Sequence, residues 1–146
     1  MIEPGVCNII VMCWSPKQES AYHAHEGSQC FVKVLQGRLL EQQLPYPSRE
    51  TPTKVPLPDE QRTSVRHLET NQVTYIDDSV GLHKVTNQSE DQSAITLHVY
   101  VPPYTKCRVF EPRLDSAETP TQLEWSLERS ESFNVAFDSV DGQVVS

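Results

Sequence analysis

Long apolar runs are missing from this 146-residue sequence. The longest, Ile9 to Trp14, falls far short of the roughly 20 residues a helix needs to cross a bilayer, so no membrane association is expected. Basic clusters are missing as well. Twelve Lys and Arg stand against 20 Asp and Glu, leaving a formal charge of −8. Binding a polyanion needs a concentrated positive face, so no nucleic-acid partner is expected either. The start, Met-Ile-Glu-Pro, lacks the basic residues and apolar run of a secretory signal. The four cysteines, Cys7, Cys13, Cys30 and Cys107, contain no C-x-x-C pair and are irregularly spaced. Reduced thiols and a cytoplasmic location are therefore expected. Glycine is scarce at five residues and proline plentiful at 11, which favours rigid turns over long helices. There is no internal repeat and no low-complexity segment. A 3.6-residue period is absent apart from a weak one around Leu123 to Leu127.

What is present reads as short strands. Ile9 to Trp14 is apolar throughout and opens with three β-branched residues, the pattern of a buried strand, and Ser15-Pro16 ends it. A second strand spans Cys30 to Leu40, with Gly37 as a turn or bulge. Five prolines between Leu44 and Asp59 (Pro45, Pro47, Pro52, Pro56 and Pro58) predict a surface loop. Val73 to Ile76 forms a short strand ahead of the Asp77-Asp78-Ser79 turn, and Ser93 to Val101 is the clearest strand of all, stopped by Pro102-Pro103. Cys107 to Phe110 and Phe133 to Phe137 each offer one more. The tail from Asp138 is mostly polar and expected to fray. Together these predict one all-β domain over residues 1–146, an antiparallel sandwich or closed barrel with little helix.

Histidine carries the chemistry. His23 and His25 flank Ala24, and on an extended backbone that spacing sends both imidazoles to one face. Alone, the pair describes a metal half-site less often than two solvent-exposed side chains. Thr96, His98 and Tyr100 alternate with Leu97, Val99 and Val101, so the polar groups share one face of their strand. A solvated edge is the plain reading of that stripe, and a wet internal pocket is the other. His83 begins a strand-like run after Gly81, whereas His67, between Arg66 and Leu68, has no comparable context and is given no role.

Taken in order, His23-x-His25 with Gly37, then Gly81-x-His83-x-x-x-Asn87, resembles the two metal-binding motifs of the cupin superfamily. Where the usual first motif has an acidic residue, this sequence has Cys30. The strings His23-Ala24-His25-Glu26-Gly27-Ser28-Gln29-Cys30-Phe31, Val34-Leu35-Gln36-Gly37, Tyr75 to His83, Leu97 to Tyr104, and Cys107 with Phe110 and Arg113 are similar to the cysteine dioxygenase family. The likeness runs from Asn8 to about Trp125.

That resemblance implies a small antiparallel jelly-roll barrel in which His23, His25 and His83 hold Fe(II). Three imidazoles suit ferrous iron and leave its charge undiminished, so that a substrate thiolate can supply the negative charge. The implied reaction adds both atoms of dioxygen to the sulfur of L-cysteine, giving cysteine sulfinic acid. Metal coordination keeps the thiol ionised at neutral pH. Cys30 and Tyr100 match the pair joined by a thioether bond in animal-type members. The Tyr100 hydroxyl is expected near the iron, oriented by His98 and by Thr96, where the family more often has serine. The Val101-Pro102 bond is expected to be cis. Cys30 favours cysteine over 3-mercaptopropionate as substrate. The family's carboxylate-gripping arginine aligns ahead of Met1, and none of Arg38, Arg108 and Arg113 corresponds to it, so weaker cysteine binding with iron binding retained is expected. The resemblance further implies a monomer. Two other readings compete: a zinc-dependent cupin enzyme, since three histidines also build hydrolytic zinc sites, and a non-catalytic cupin.

Overall fold

The computed structural model describes residues 6–47, 54–56, 63–103, 107–112 and 122–129. Eleven strands occur among them and no helix: β1 (Asn8–Trp14), β2 (Tyr22–His23), β3 (Gln29–Gln36), β4 (Arg38–Leu44), β5 (Lys54–Pro56), β6 (Ser64–Glu69), β7 (Val73–Ile76), β8 (Leu82–Thr86), β9 (Ala94–Val101), β10 (Cys107–Pro112) and β11 (Gln122–Arg129). They form two antiparallel sheets, one ordered β1-β9-β3-β7 and the other β5-β11-β10-β2-β8-β4-β6. The all-β, two-sheet arrangement is the one the turn and strand signals predicted.

The expected strand from Cys30 to Leu40 is two strands, one in each sheet. Gly37 marks the crossing. Its φ is +82°, and a Cβ there would lie 3.0 Å from the Ala94 Cβ, so the corner needs both the left-handed backbone and the missing side chain. β1 is not buried throughout, because only one face of its sheet turns toward the interior. Ile9 and Val11 face outward and only Ile10, Met12 and Trp14 turn toward the interior. The proline-rich segment expected as a loop contains β5, an edge strand of the second sheet, where a missing N–H is tolerated. The weak helical period at Leu123 to Leu127 belongs to β11. β6 escaped notice because it is the other edge of that sheet and turns only Leu68 inward, leaving no apolar alternation to read. The expected strand at Phe133 to Phe137 and the tail from Asp138 lie outside the described residues.

Inward-facing side chains alternate with outward ones, as the two-residue period requires. β3 turns Cys30, Val32 and Val34 inward, and β9 turns Ala94, Thr96, His98 and Tyr100. At one end Trp14, Val34, Leu39, Leu68, Val85 and Ala94 close an apolar plug. Cys30, Val32, Ile76, Tyr100, Cys107 and Val109 form a second cluster. Polar side chains occupy the interior between aliphatic groups, which is the first structural sign of a site rather than a plain core.

Asn87, the last residue of the second motif, serves the fold. Its amide donates to the carbonyls of Trp14, Ser15 and Gln92 at 3.0, 3.1 and 2.8 Å, and its oxygen accepts from Ser89 N. It thereby ties the end of β1 to the β8–β9 connection. Asn87→Ala leaves the buried Trp14 carbonyl without this donor and is expected to cost about 1–3 kcal/mol, read as a lower urea midpoint with metal binding retained.

Candidate metal centre

His23 closes β2, with Val109 of β10 opposite it on one side and His83 of β8 on the other. The direct opposition of His23 and His83 across two strands is what brings residues 60 positions apart into contact. His25 lies beyond the strand, in a turn with positive φ at Glu26 (46°) and Gly27 (83°). Asp78 holds that turn: its two carboxylate oxygens accept from His25 N and Gly27 N, each at 2.8 Å. Neighbouring Asp77 accepts from Ser79 and from the Tyr75 hydroxyl, which pulls its own carboxyl down to about 2.

The three imidazoles converge inside the barrel, with one ligating nitrogen from each lying within 4.8 Å of the others and all three rings buried. Burial holds the pKa of His23 below the ordinary histidine value. Burial and then the neighbouring imidazoles hold His25 and His83 well below it. All three are therefore neutral at pH 7.

Their tautomers follow from their partners. His23 Nδ1 lies 3.0 Å from the Ala21 carbonyl oxygen and His83 Nδ1 lies 2.9 Å from Glu41 Oε1. Both partners only accept, so both Nδ1 atoms carry the proton. The two Nε2 atoms consequently turn lone pairs toward each other across 3.1 Å. Two such lone pairs repel unless a cation lies between them. Imidazole nitrogens bonded to one divalent ion at about 2.1 Å lie roughly 3.0–3.4 Å apart. The donor set therefore fits a metal ion of the class imidazole prefers: iron, zinc, copper or nickel.

The polar stripe on β9 faces the interior, the placement the resemblance implied, and not the solvated edge that alternation alone would favour. The outward aliphatic side chains Leu97, Val99 and Val101 form the partly exposed face instead. Trp14 Nε1 donates to Thr96 Oγ1 at 2.8 Å, Thr96 Oγ1 lies 2.8 Å from His98 Nε2, and His98 Nδ1 lies 3.3 Å from the Tyr100 oxygen. Burial, then the nearby His23, pushes His98 down to about 3. The Tyr100 ring stacks between His25, at 6.4 Å, and His98, at 6.0 Å. Cys30 sits directly opposite Tyr100 in the β3–β9 register, and the two side chains share a hydrogen bond. Burial pushes the Cys30 thiol up to about 12, the Tyr100 bond working the other way. Burial and Cys30 raise the phenol well above its usual value. Both are thus protonated at neutral pH. The Val101–Pro102 bond is cis.

His23, His25, His83, Cys30, Thr96, His98 and Tyr100 are thus brought together, while His67 stays exposed on β6. Arg38 is paired with Glu69 and Arg108 with Glu26 and Tyr46; Arg113 lies outside the described residues. Sequence reading missed Glu41, Asp78 and Trp14. Glu41 stands with Leu39 and Gln43 on the inward row of β4, where a charge is costly, and the sequence alone does not show that this row is the inward one.

A family model described as cysteine dioxygenase type I matches residues 2–113. Cysteine dioxygenase type 1 of Danio rerio is 38% identical over 122 residues, covering 84% of this chain and 58% of its own length. The Homo sapiens protein of the same name is 38% identical over 109 residues, covering 75% and 52%. The chain therefore spans a little over half the length of these curated relatives. Among solved structures, a Klebsiella pneumoniae protein with a double-stranded β-helix domain superposes with a TM-score of 0.55 over 75% of this chain and 79% of its own, at 19% identity. That likeness supports the barrel fold and carries no functional argument.

Proposed function

The chain belongs to the type I cysteine dioxygenase family, and from that premise we propose that it is an iron-dependent thiol dioxygenase converting L-cysteine and dioxygen into cysteine sulfinic acid. The observation that supports this most is the meeting of three buried, neutral imidazoles with the Cys30–Tyr100 pair in one closed interior. In this reading His23, His25 and His83 hold Fe(II). The bound ion supplies a site where thiol and dioxygen meet and where the thiol ionises at neutral pH.

The chain's own groups do the rest. His98, fixed through Thr96 by the Trp14 indole, orients the Tyr100 hydroxyl. Because burial keeps Tyr100 protonated, it can donate a hydrogen bond to substrate or dioxygen and takes up no charge of its own. In the reaction R–SH and O2 combine to R–SO2H with no other reactant. Cys30 lies where a thioether to the Tyr100 ring can form. One S–H and one ring C–H give way to an S–C bond, and dioxygen takes the two electrons and two protons. The same reading makes the protein a cytoplasmic monomer, in keeping with free thiols at all four cysteines.

The test is anaerobic loading with Fe(II), then saturating cysteine and air, with the product identified by mass spectrometry. One sulfinate per dioxygen consumed is the expected result, with none from zinc-loaded protein. Iron bound at one equivalent with no sulfinate formed would overturn the proposal. Oxygen-independent turnover with zinc would favour the hydrolytic reading instead.

A further inference from the structure

Glu41 is fully buried, yet the function just described gives it no part. Glutamate is almost never enclosed without partners, and taking a carboxylate out of water costs several kcal/mol. Leu39, two residues earlier on the same inward row, shows what the plain core solution at this position would be.

The partners of Glu41 point in one direction. Oε1 accepts from His83 Nδ1 at 2.9 Å, Oε2 accepts from Thr74 Oγ1 at 2.8 Å, and the Arg66 guanidinium stands 3.7 Å from Oε2. Arg66 also donates to Gln43, the residue opposite His83 in the β4–β8 register. It is half exposed, so solvent screens its charge, while that of Glu41 is enclosed. The Nδ1 proton of His23 goes instead to a neutral carbonyl, that of Ala21.

We propose that Glu41 is the positioning residue of this metal centre: it locks the His83 ring with Nε2 toward the ion and supplies, one residue removed from the ion, the negative charge that three imidazoles lack. This rests on the reading of His23, His25 and His83 as metal ligands. In the two-histidine, one-carboxylate sites of other oxygenases the compensating charge touches the metal. Here it is displaced behind a ligand. That leaves every remaining coordination position open to substrate while making one imidazole a stronger donor. Such carboxylate–histidine–metal arrangements fix ring orientation and raise ligand basicity.

Glu41→Gln keeps the shape and an acceptor for His83 but removes the charge. Metal-free parent, E41Q and the surface control Glu69→Gln are titrated with Co(II) against a competing chelator, and the visible spectrum of the bound ion is recorded. E41Q is expected to bind Co(II) about 10- to 100-fold more weakly, with displaced absorption bands, and E69Q to match the parent. A purely structural role for Glu41 would lower the unfolding midpoint and leave the spectrum of the bound ion unchanged. Should E41Q fail to fold, the parent alone gives a second reading. In zinc-loaded protein labelled with 15N-histidine, His83 must carry its proton on Nδ1. Equal Co(II) affinity with unshifted bands, or a proton on His83 Nε2, overturns the proposal and leaves the metal site standing. Failure of the parent to bind any divalent ion overturns both.

Discussion

His83→Ala is expected to lower divalent-metal affinity by roughly 10²- to 10³-fold and to eliminate sulfinate formation. The magnitude follows from sharing the ~10–16 kcal/mol of a four-ligand zinc site equally among its ligands. His23→Ala should lose a comparable amount of affinity, but the two variants differ in stability. Removing His23 takes the Nδ1 partner from the Ala21 carbonyl, a neutral acceptor, whereas removing His83 takes from the enclosed Glu41 carboxylate the contact to Oε1. Leaving a buried acceptor without one of its hydrogen bonds costs about 1–3 kcal/mol and more when the acceptor is charged, so metal-free His83→Ala should unfold at lower urea than metal-free His23→Ala. Calorimetric metal titration and urea unfolding of both variants check the pair. Equal stability of the two would show that Glu41 does not depend on His83.

The metal-free protein is expected to unfold in mild acid, driven by its buried histidines. His23, His25, His83 and His98 are all held below their ordinary pKa of 6.5, chiefly by burial, with His98 at about 3. The unfolded chain takes up protons near pH 6.5 while the folded chain refuses them. Stability is therefore complete above that pH and falls steadily below it, toward the folded values. At about 1.4 kcal/mol per pH unit, His98 alone removes about 5 kcal/mol by pH 3, and the other three act in the same direction. Against a total of about 5–15 kcal/mol, cooperative unfolding near pH 4–5 is expected. Bound metal competes with protons for His23, His25 and His83 and should move the transition to lower pH. Circular dichroism across an acid titration, with and without metal, measures both transitions. A metal-free chain still folded at pH 3 would mean that these histidines accept protons in place.

The three converging histidines were legible because H-x-H and a histidine after Gly81 are local patterns that the family resemblance ties into one site. The inward face of β9 came only with that resemblance, because alternation assigns residues to two faces without saying which is inside. Here the aliphatic row Leu97, Val99 and Val101 faces outward, and the row a solubility argument would expose is sealed in. Glu41 was hidden for a related reason. Arg-Leu-Leu-Glu-Gln-Gln-Leu reads as an ordinary half-polar strand until its register against His83 is known. Gly37 was visible as punctuation, but only the sheet order shows that the chain leaves one sheet there for the other.

The contacts that build the centre are all distant along the chain: Trp14 to Thr96, His25 to Asp78, His23 to His83, Glu41 to His83. Closing such spans costs chain entropy before any contact repays it, and folds dominated by them form slowly. During synthesis the His23–His25 half-site leaves the ribosome well before Asp78 and His83 exist to complete it. The centre is therefore a late product of folding. A metal ion held by the three imidazoles can bind only the completed centre, so its supply adds to the stability of the folded chain without guiding the early steps that form it.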